Sequence, residues 1–150
     1  MPPSVFREYS DVKIYSCTIY DDLIKLLIKD FKYHNHKELA ELCAKIMYEY
    51  ITELHLKENF LIIPVPISAE RKKERKYNHM DLTADNLAKL SGYKSEKNMI
   101  IRIKDTEKQY KLHKQERIKN IKNAFEINKN INIPKDTPLM IIDDITATGI

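Results

Sequence analysis

The chain has 150 residues, of which 43% are hydrophobic and 32% are charged, a balance that is typical of one globular domain and excludes a disordered segment. Its net charge of +4 is mild, so it favours polyanionic ligands without by itself indicating nucleic-acid binding. No apolar run reaches the roughly 20 residues that a membrane span needs, and no signal-peptide pattern is visible, so we expect a cytoplasmic protein without membrane insertion.

The first part of the chain is predicted to contain a lead-in, short strands and a helix. Residues 1–11 combine two prolines with mixed polarity, which predicts a loose lead-in. Residues 12–20 are rich in β-branched and aromatic side chains and predict one or two short strands. A helix is then expected from Asp21 and Asp22, which suit a helix N-terminus, to Asn35, which can take the left-handed conformation that ends a helix.

A second helix is expected over about residues 37–56, with apolar residues at helical spacing. Cys43 lies on its apolar stripe, where core packing is the expected role. Cys17 and Cys43 form no CxxC pair, so the sequence indicates neither a zinc site nor a disulfide framework. His34 and His36 have no acid or thiol partner at ligand spacing, so no metal site is expected there.

The central segment begins with an apolar strand candidate, Phe60 to Ile63. It runs into Pro64, whose missing backbone donor marks the end of ladder pairing. Residues 71–76 form a loop dense in cations, which is either a solvated basic loop or part of an anion site. Asn78 or Asp81 can cap the helix that follows, and Gly92 lies just past its end.

The last part of the chain is predicted to hold two strands and a helix. Residues 98–103 are a strand candidate, residues 104–111 a polar basic segment, and residues 114–123 a helix. The final candidate, Leu139 to Ile142, is apolar throughout, as in a strand buried on both faces of a parallel sheet. Alternating strands and helices predict a single α/β domain over residues 1–150, with a largely parallel central sheet flanked by helices.

Asp143 and Asp144 follow this strand, at the end where parallel sheets bind ligands. The next residues, Thr146 to Gly149, offer two hydroxyls, little bulk and free backbone N–H groups, which suits a phosphate. The carboxylates would repel a phosphate and suit neighbouring hydroxyls or a hard cation. The pattern therefore predicts a ligand with a sugar diol near a phosphate, and the alternative is a polar strand end that runs into an ordinary turn.

The stretch Asp143-Asp144-Ile145-Thr146-Ala147-Thr148-Gly149 resembles the signature of type I phosphoribosyltransferases, which bind 5-phosphoribosyl-1-pyrophosphate (PRPP). The resemblance implies that Asp143 and Asp144 bind the ribose 2′- and 3′-hydroxyls. It also implies that a loop cradles the 5′-phosphate, with the residues Thr146, Ala147, Thr148 and Gly149.

Three further stretches are similar to the ComF-like branch of this family. Pro64-Val65-Pro66-Ile67-Ser68, followed by Arg75-Lys76-Tyr77-Asn78-His79, resembles the branch's Pro-Val-Pro-Leu-Ser and Arg-Gly-Phe/Tyr-Asn-Gln. Phe31-Lys32-Tyr33 fits its Leu-Lys-Tyr. A longer pattern of the branch matches at each named position, namely Arg102, Lys104, Thr106, Gln109, Leu112, Arg117, Asn120, Ala124 and Phe125. The resemblance covers about residues 15–150.

The resemblance implies displacement of pyrophosphate from PRPP with the help of Mg²⁺, which would be held through PRPP and not by direct protein ligands. Backbone amides of the segment Val65, Pro66, Ile67 and Ser68 would hold the pyrophosphate. Arg102 and Lys104 would act as catalytic cations that close over the leaving group, where negative charge develops. The alternative for these two residues is a surface role.

The chain departs from the pattern of the branch in several places. Lys76 stands where the branch has Gly, and His79 where it has Gln, which puts the loop geometry after Ser68 in question. The four-cysteine zinc module that usually precedes the domain has no counterpart, and the chain stops at Ile150, one residue before the usual Thr of the phosphate loop. We therefore expect an incomplete copy of a longer protein, without the last strand and helix of the fold.

The resemblance thus implies a PRPP-binding phosphoribosyltransferase-like protein that transfers a phosphoribosyl group to an acceptor with release of pyrophosphate. It further implies an association with DNA uptake and competence or with nucleotide salvage. The alternative is a non-catalytic module, either a PRPP sensor or an adaptor that handles single-stranded DNA or binds competence proteins.

Overall fold

The structure, a computed structural model, describes residues 5–9, 11–104 and 114–145. The elements in these ranges are, in order, β1 (Val5–Tyr9), β2 (Val12–Ser16), α1 (Asp22–Tyr33), α2 (Leu39–Glu53), β3 (Leu61–Pro64), α3 (Ala69–Arg75), α4 (His79–Ser91), β4 (Lys94–Ser95), β5 (Ile100–Arg102), α5 (Lys114–Ile121), β6 (Phe125–Ile127) and β7 (Leu139–Ile142).

The main sheet has three parallel strands in the order β4-β3-β7. Strand β3 pairs in parallel with both neighbours, and Leu61 at its start lies opposite Lys94 of β4 and Leu139 of β7. The two apolar runs of the sequence supply β3 and β7, and helices flank the sheet. The predicted α/β class with a parallel sheet is therefore confirmed.

Helices α2 and α4 pack on each other and on β3, and small side chains let them approach closely. Ala44 of α2 and Ala84 of α4 are both fully buried. They belong to the largest apolar cluster, which contains Ala44, Ile62, Met80, Ala84, Leu87 and Ile142. A second cluster, Phe31, Ala40 and Tyr77, packs the end of α1 against α2 and against the loop two residues before the start of α4. These clusters fix where α1, α4 and the end of β7 meet.

Helix ends follow the local signals of the sequence. The Asp21 side chain accepts a hydrogen bond from the N–H of Ile24 (2.9 Å), and Asn35 takes a positive φ of 57° shortly after α1 ends. Asn78 caps α4 by accepting from the N–H of Met80 (3.1 Å), and Gly92 ends that helix with a φ of 76°. Of the two predicted caps for α4, Asn78 is the one that the helix uses.

Two antiparallel ribbons lie outside the parallel sheet and correct the sequence prediction. Val5–Tyr9, assigned to a loose lead-in, is strand β1, which pairs with β2 so that Tyr9 lies opposite Val12. The strand predicted over residues 98–103 forms as β5, but it pairs with β6 in a separate ribbon. Short strands are stabilised by the strand with which they pair, and local composition does not predict which segment that partner is.

Three further expectations were wrong. The cationic loop contains a helix, α3, because Ser68 caps a run of good helix formers. Strand β7 is not buried on both faces, since Leu139 is 44% exposed and Ile141 is 58% exposed. Within the described ranges β7 is an edge strand. The second helix is also shorter than expected, because it ends at Glu53.

Among the helices within the described ranges, none combines the length and the apolar character that a membrane crossing demands.

Candidate functional site

The candidate site lies where β3 and β7 end, at the same edge of the parallel sheet. Val65, the residue after β3, donates its N–H to the carbonyl of Ile142, the last residue of β7 (3.0 Å). The segment after β3 and the acid pair after β7 are therefore brought side by side. This is the edge at which parallel α/β sheets bind ligands.

Asp144 is held by two side chains from different helices. The ammonium of Lys32, on α1, forms an ion pair with Asp144 Oδ2. His79, the first residue of α4, places its Nε2 2.7 Å from the same oxygen. The side chains of Lys32, Asp144 and His79 are only 18%, 14% and 4% exposed, so this contact is largely shielded from water.

The protonation states of Asp144 and His79 follow from the groups around them. Desolvation opposes ionisation of Asp144, but the hydrogen bond from His79 and the positive charge of Lys32 outweigh it and hold the pKa of Asp144 below its usual range. Desolvation also lowers the pKa of His79, although Asp144 acts to raise it. At neutral pH, His79 is therefore neutral and donates its Nε2–H to the carboxylate. Its Nδ1 is buried and has no hydrogen-bond partner among the described residues.

Asp143 has different surroundings from its neighbour. Its residue surface is exposed, and its Oδ1 accepts a hydrogen bond from the N–H of Asp144 (2.8 Å). The protein atoms around the carboxyl group reduce its hydration, and this desolvation, together with the negative charge of Asp144, raises the pKa of Asp143. The two adjacent carboxylates are thus unequal: one is ion-paired and fixed, and the other faces solvent.

An apolar cavity of about 300 Å³ begins at the acid pair. Its walls come from β2 and the residues after it, from α1 and from α2, with Ile14, Ile24, Ile28 and Met47 among the lining side chains. Cys17 and Cys43 also line it, and burial raises the pKa of each thiol to about 11. Both are therefore protonated at neutral pH, in agreement with the packing role expected for Cys43.

The segment after β3 is tied to the start of α4. Asn78 Nδ2 donates to the carbonyl of Val65 (3.3 Å), while Ser68 is buried and accepts from the N–H of Arg71 (3.3 Å) to cap α3. Lys76 takes the left-handed conformation with a φ of 67° at the end of α3. This is a conformation that glycine adopts without strain, so the lysine preserves the backbone geometry in the place of the expected glycine.

Two of the motifs that carried the family resemblance pack against each other. The guanidinium of Arg75 lies 5.0 Å from the ring centre of Tyr33 and donates to its hydroxyl (3.3 Å). The Tyr77 hydroxyl donates to the carbonyl of Phe31. These contacts place Lys32, which lies between Phe31 and Tyr33, at the acid pair.

The remaining predicted site residues lie elsewhere or outside the description. Arg102 packs over the ring of Phe125 at 5.4 Å and donates from Nε to the carbonyl of Lys104 (3.4 Å). Arg102 lies on β5, and Lys104 follows two residues later, next to the β5–β6 ribbon. The catalytic role of Arg102 and Lys104 stays a prediction. Arg117 and Asn120 lie on α5, and their side chains are outside the described part. The other predicted site residues that lie outside the described ranges are Thr106, Gln109, Thr146, Ala147, Thr148 and Gly149.

The contact of Lys32 and His79 with Asp144 was not predicted from the sequence. Lys32 was named only as a motif residue, and His79 only as a departure from the pattern. No local signal joins residues so far apart in the chain, since this contact depends on the packing of α1 and α4.

The expectation that His34 and His36 lack acid partners was wrong. His34 Nδ1 lies 2.7 Å from Asp30, and His36 Nδ1 lies 2.8 Å from Glu38. Nevertheless, the described part of the chain contains no group of three or more potential ligands arranged for a metal ion.

Curated proteins similar to this chain have names connected with competence and DNA use. The chain is 29% identical over 134 residues to Competence protein F of Haemophilus influenzae, which covers 87% of this chain and 58% of the relative. It is 28% identical over 130 residues to Competence protein ComFC of Bacillus subtilis, with 87% and 50% covered. It is 27% identical over 143 residues to DNA utilization protein YhgH of Salmonella typhimurium, with 91% and 61% covered.

The chain therefore spans between half and about three-fifths of the length of these relatives. No family model and no solved structure matches it. The named relatives align along most of this chain. They support the ComF-like family that those motifs indicated.

Proposed function

We propose that this chain is a PRPP-binding domain of the ComF-like type that transfers a phosphoribosyl group and releases pyrophosphate, in a process connected with DNA uptake. One observation carries the proposal: Asp143 and Asp144 leave β7 directly beside the segment that leaves β3, joined by the hydrogen bond from Val65 to Ile142. A diol and a pyrophosphate lie a few ångströms apart on PRPP, and these two segments are adjacent in the same way.

The segment after β3 offers few backbone donors. Pro66 has no N–H, and the N–H of Val65 is already donated to Ile142. In the proposal, Ile67 and Ser68 therefore supply the amides for the pyrophosphate. The cations of α3 lie immediately after them in the chain and add attraction for the anion.

The apolar cavity provides room for the acceptor. It begins at Asp143 and Asp144, so a molecule inside it would lie beside a ribose bound to the acid pair. Transfer requires the acceptor and C1 of the ribose to be close together, and positioning of this kind is a major source of rate. Mg²⁺ enters the proposal through PRPP, because the ion uses few protein ligands and retains much of its water.

The proposal is tested by calorimetry with PRPP and Mg²⁺ on the full-length protein, together with an assay for pyrophosphate release. Asp143→Asn is expected to weaken binding. Asp136→Asn is a matched control, because Asp136 is an exposed aspartate at the opposite end of β7 and asparagine tolerates its φ of 66°. Wild-type protein that binds no PRPP, or that binds it without releasing pyrophosphate, would exclude the proposed function, and equal binding by all three proteins would exclude Asp143 from the site.

A non-catalytic role is the second candidate, favoured by the relatives named DNA utilization proteins. A sensor would bind PRPP without releasing pyrophosphate. An adaptor would bind single-stranded DNA with an affinity that falls steeply as salt rises, because Lys and Arg contacts to phosphates release counterions. Measuring pyrophosphate release and the salt dependence of DNA binding on the same preparation separates these roles.

A further inference from the structure

Asp143 and Asp144 are neighbours in sequence, but their carboxylates have different partners. Asp144 has two side-chain partners on its Oδ2, from α1 and α4. Asp143 has an exposed surface and accepts a hydrogen bond from the backbone of Asp144. A division of roles between the two carboxylates follows from this difference.

We propose that Lys32 and His79 are positioning residues that clamp Asp144 through its Oδ2 and hold it in place, so that Asp143 is the carboxylate that is free to turn toward the ligand. For the identity of the ligand this inference rests on the proposed function. The clamp itself is a property of the protein without ligand, and it can be tested separately.

The clamp uses the hydrogen-bonding capacity of the oxygen that it holds. A carboxylate oxygen has about two lone-pair sites, and Oδ2 of Asp144 receives both the Lys32 ammonium and the His79 Nε2–H. To turn toward a ligand, Asp144 would leave a largely buried ammonium and a buried imidazole N–H without their partner. Such groups are expensive to leave unpaired, so the carboxylate stays in place.

Packing holds both clamp residues. The rings of His79 and Phe31 pack in a T-shaped arrangement, with their centroids 5.4 Å apart and an interplanar angle of 86°. Phe31 directly precedes Lys32 in the chain. The backbone of α1 at Phe31 is fixed by the Tyr77 hydroxyl, and the backbone carbonyl of His79 accepts from Thr83 Oγ1 (2.9 Å). The clamp is therefore built from packed helices, which is how side-chain positions are held to within a fraction of an ångström.

Each element around Asp144 contributes to its electrostatics. Lys32 of α1 supplies a positive charge, while Cys43 of α2 and His79 of α4 are neutral at neutral pH. Arg75 of α3 acts on His79 and disfavours its protonation. Lys32 is thus the cation that balances the acid pair. Without it, two adjacent carboxylates would repel each other, and one of them would retain its proton to a higher pH.

The first test is carbon-detected NMR of the aspartate carboxyl groups without ligand. In the wild-type protein, Asp144 is expected to stay ionised below the usual carboxyl range and Asp143 to protonate above it. Lys32→Met should move the protonation of Asp143 upward by about one pH unit, and Lys32→Arg should restore it. Lys29→Met is the matched control, because Lys29 is exposed on the same helix.

Two results would contradict the proposed clamp. One is that Asp143 and Asp144 of the wild-type protein titrate together, near the ordinary pKa of an aspartate. The other is a folded Lys32→Met variant that leaves the titration of Asp143 where it was. The wild-type titration decides the question even if Lys32→Met does not fold.

The second test uses PRPP with Mg²⁺ and separates positioning from a purely structural role. Lys32→Met should bind about fivefold more weakly at the pH where Asp143 of the wild-type protein is half protonated, because an upward shift of one pH unit lowers the ionised fraction there from a half to about a tenth, and the loss should shrink as pH rises. A loss that is the same at every pH would show a structural role only. His79→Gln retains an amide donor and should lose less than His79→Leu, and equal losses would contradict the role of the Nε2–H.

The two tests distinguish failure of the proposed function from failure of the clamp. If the wild-type protein binds no PRPP, the proposed function fails while the NMR titration still decides the clamp. If PRPP binds and the titration shows two equivalent carboxyl groups, the function stands and the clamp fails.

Discussion

His79 Nε2 lies 2.7 Å from Asp144 Oδ2, although 65 residues separate the two in the chain. The contact joins the first residue of α4 to the loop after β7, and Lys32 of α1 reaches the same oxygen. Residues from α1, from α4 and from the loop after β7 therefore meet at one carboxylate. A ligand bound at the acid pair is consequently coupled to the position of α1, which also forms a wall of the apolar cavity.

The two carboxylates should respond differently to neutralisation. Asp143→Asn is expected to weaken PRPP binding by about 1.5–3 kcal/mol, the range for hydrogen bonds to charged groups, with little effect on folding. Asp144→Asn should chiefly lower the free energy of unfolding, by about 1–3 kcal/mol, because Lys32 loses the charge of its partner. Calorimetry and urea unfolding measure the two effects. Equal urea midpoints for the two variants would contradict the difference.

The pKa of His79 predicts how stability depends on pH. Its pKa is lowered in the folded protein, so its contribution to stability is full above the unfolded value of about 6.5 and is lost as pH falls through the folded value. Wild-type protein should therefore lose more unfolding free energy than His79→Gln between about pH 7.5 and about pH 5.5. The raised pKa of Asp143 has the opposite effect, because it increases the free energy of unfolding as pH falls, but this effect is present in both wild-type protein and His79→Gln. Parallel pH profiles for the two proteins would contradict the assignment of a buried neutral imidazole.

Local signals in the sequence were sufficient for the parts of the fold that depend on neighbouring residues. Asp21, Asn35 and Gly92 mark helix ends because each acts on its own backbone or on the next turn. The apolar runs of β3 and β7 mark strands, and Asp143 and Asp144 mark the site by following one of them. The cap at Ser68 and the helix formers after it were also present, but the density of charge led to the prediction of a loop.

The rest depended on tertiary partners. Strand β1 exists because β2 pairs with it, and β6 exists because β5 does. The contact of Lys32 and His79 with Asp144 requires that α1 and α4 pack at the same end of the sheet. Periodicity predicts these helices, but it does not predict which of their polar residues meet.

Two left-handed positions provide a test of backbone strain. Lys76 has a φ of 67° at the end of α3, so Lys76→Gly should raise the free energy of unfolding by about 1 kcal/mol. Gly92 has a φ of 76° at the end of α4, and a Cβ added there would meet nothing within 4 Å. Gly92→Ala should therefore cost about 1 kcal/mol through the backbone alone. Urea unfolding of both variants measures these effects, and changes of the same sign would contradict the argument.

The role of Lys104 is testable by kinetics. If Lys104 closes over the pyrophosphate, Lys104→Ala should lower kcat more than it raises KM, because the negative charge on the leaving group develops in the transition state. Lys97→Ala is a suitable control, since Lys97 is paired with Asp85 on the surface of α4. A Lys104→Ala variant with wild-type turnover would assign Lys104 to the surface.

Tyr77 links the packing of α1 to the site and gives a final prediction. Its hydroxyl donates to the carbonyl of Phe31, both residues are buried, and Phe31 directly precedes Lys32. Tyr77→Phe leaves that carbonyl without this donor and should lower the free energy of unfolding by about 1–3 kcal/mol. The end of α1 is then held less firmly, so the Lys32–Asp144 ion pair should weaken and PRPP affinity should fall with it.

Tyr48→Phe is the matched control for this variant, because Tyr48 is an exposed tyrosine on α2 and the substitution removes the same hydroxyl. Urea unfolding and calorimetry on both variants give the comparison. Tyr77→Phe protein with lower stability and unchanged PRPP affinity would show that the hydrogen bond to Phe31 supports the fold and has no influence on the position of Lys32. A loss in both quantities, with Tyr48→Phe unchanged, is the result expected if the end of α1 positions the ammonium at the acid pair.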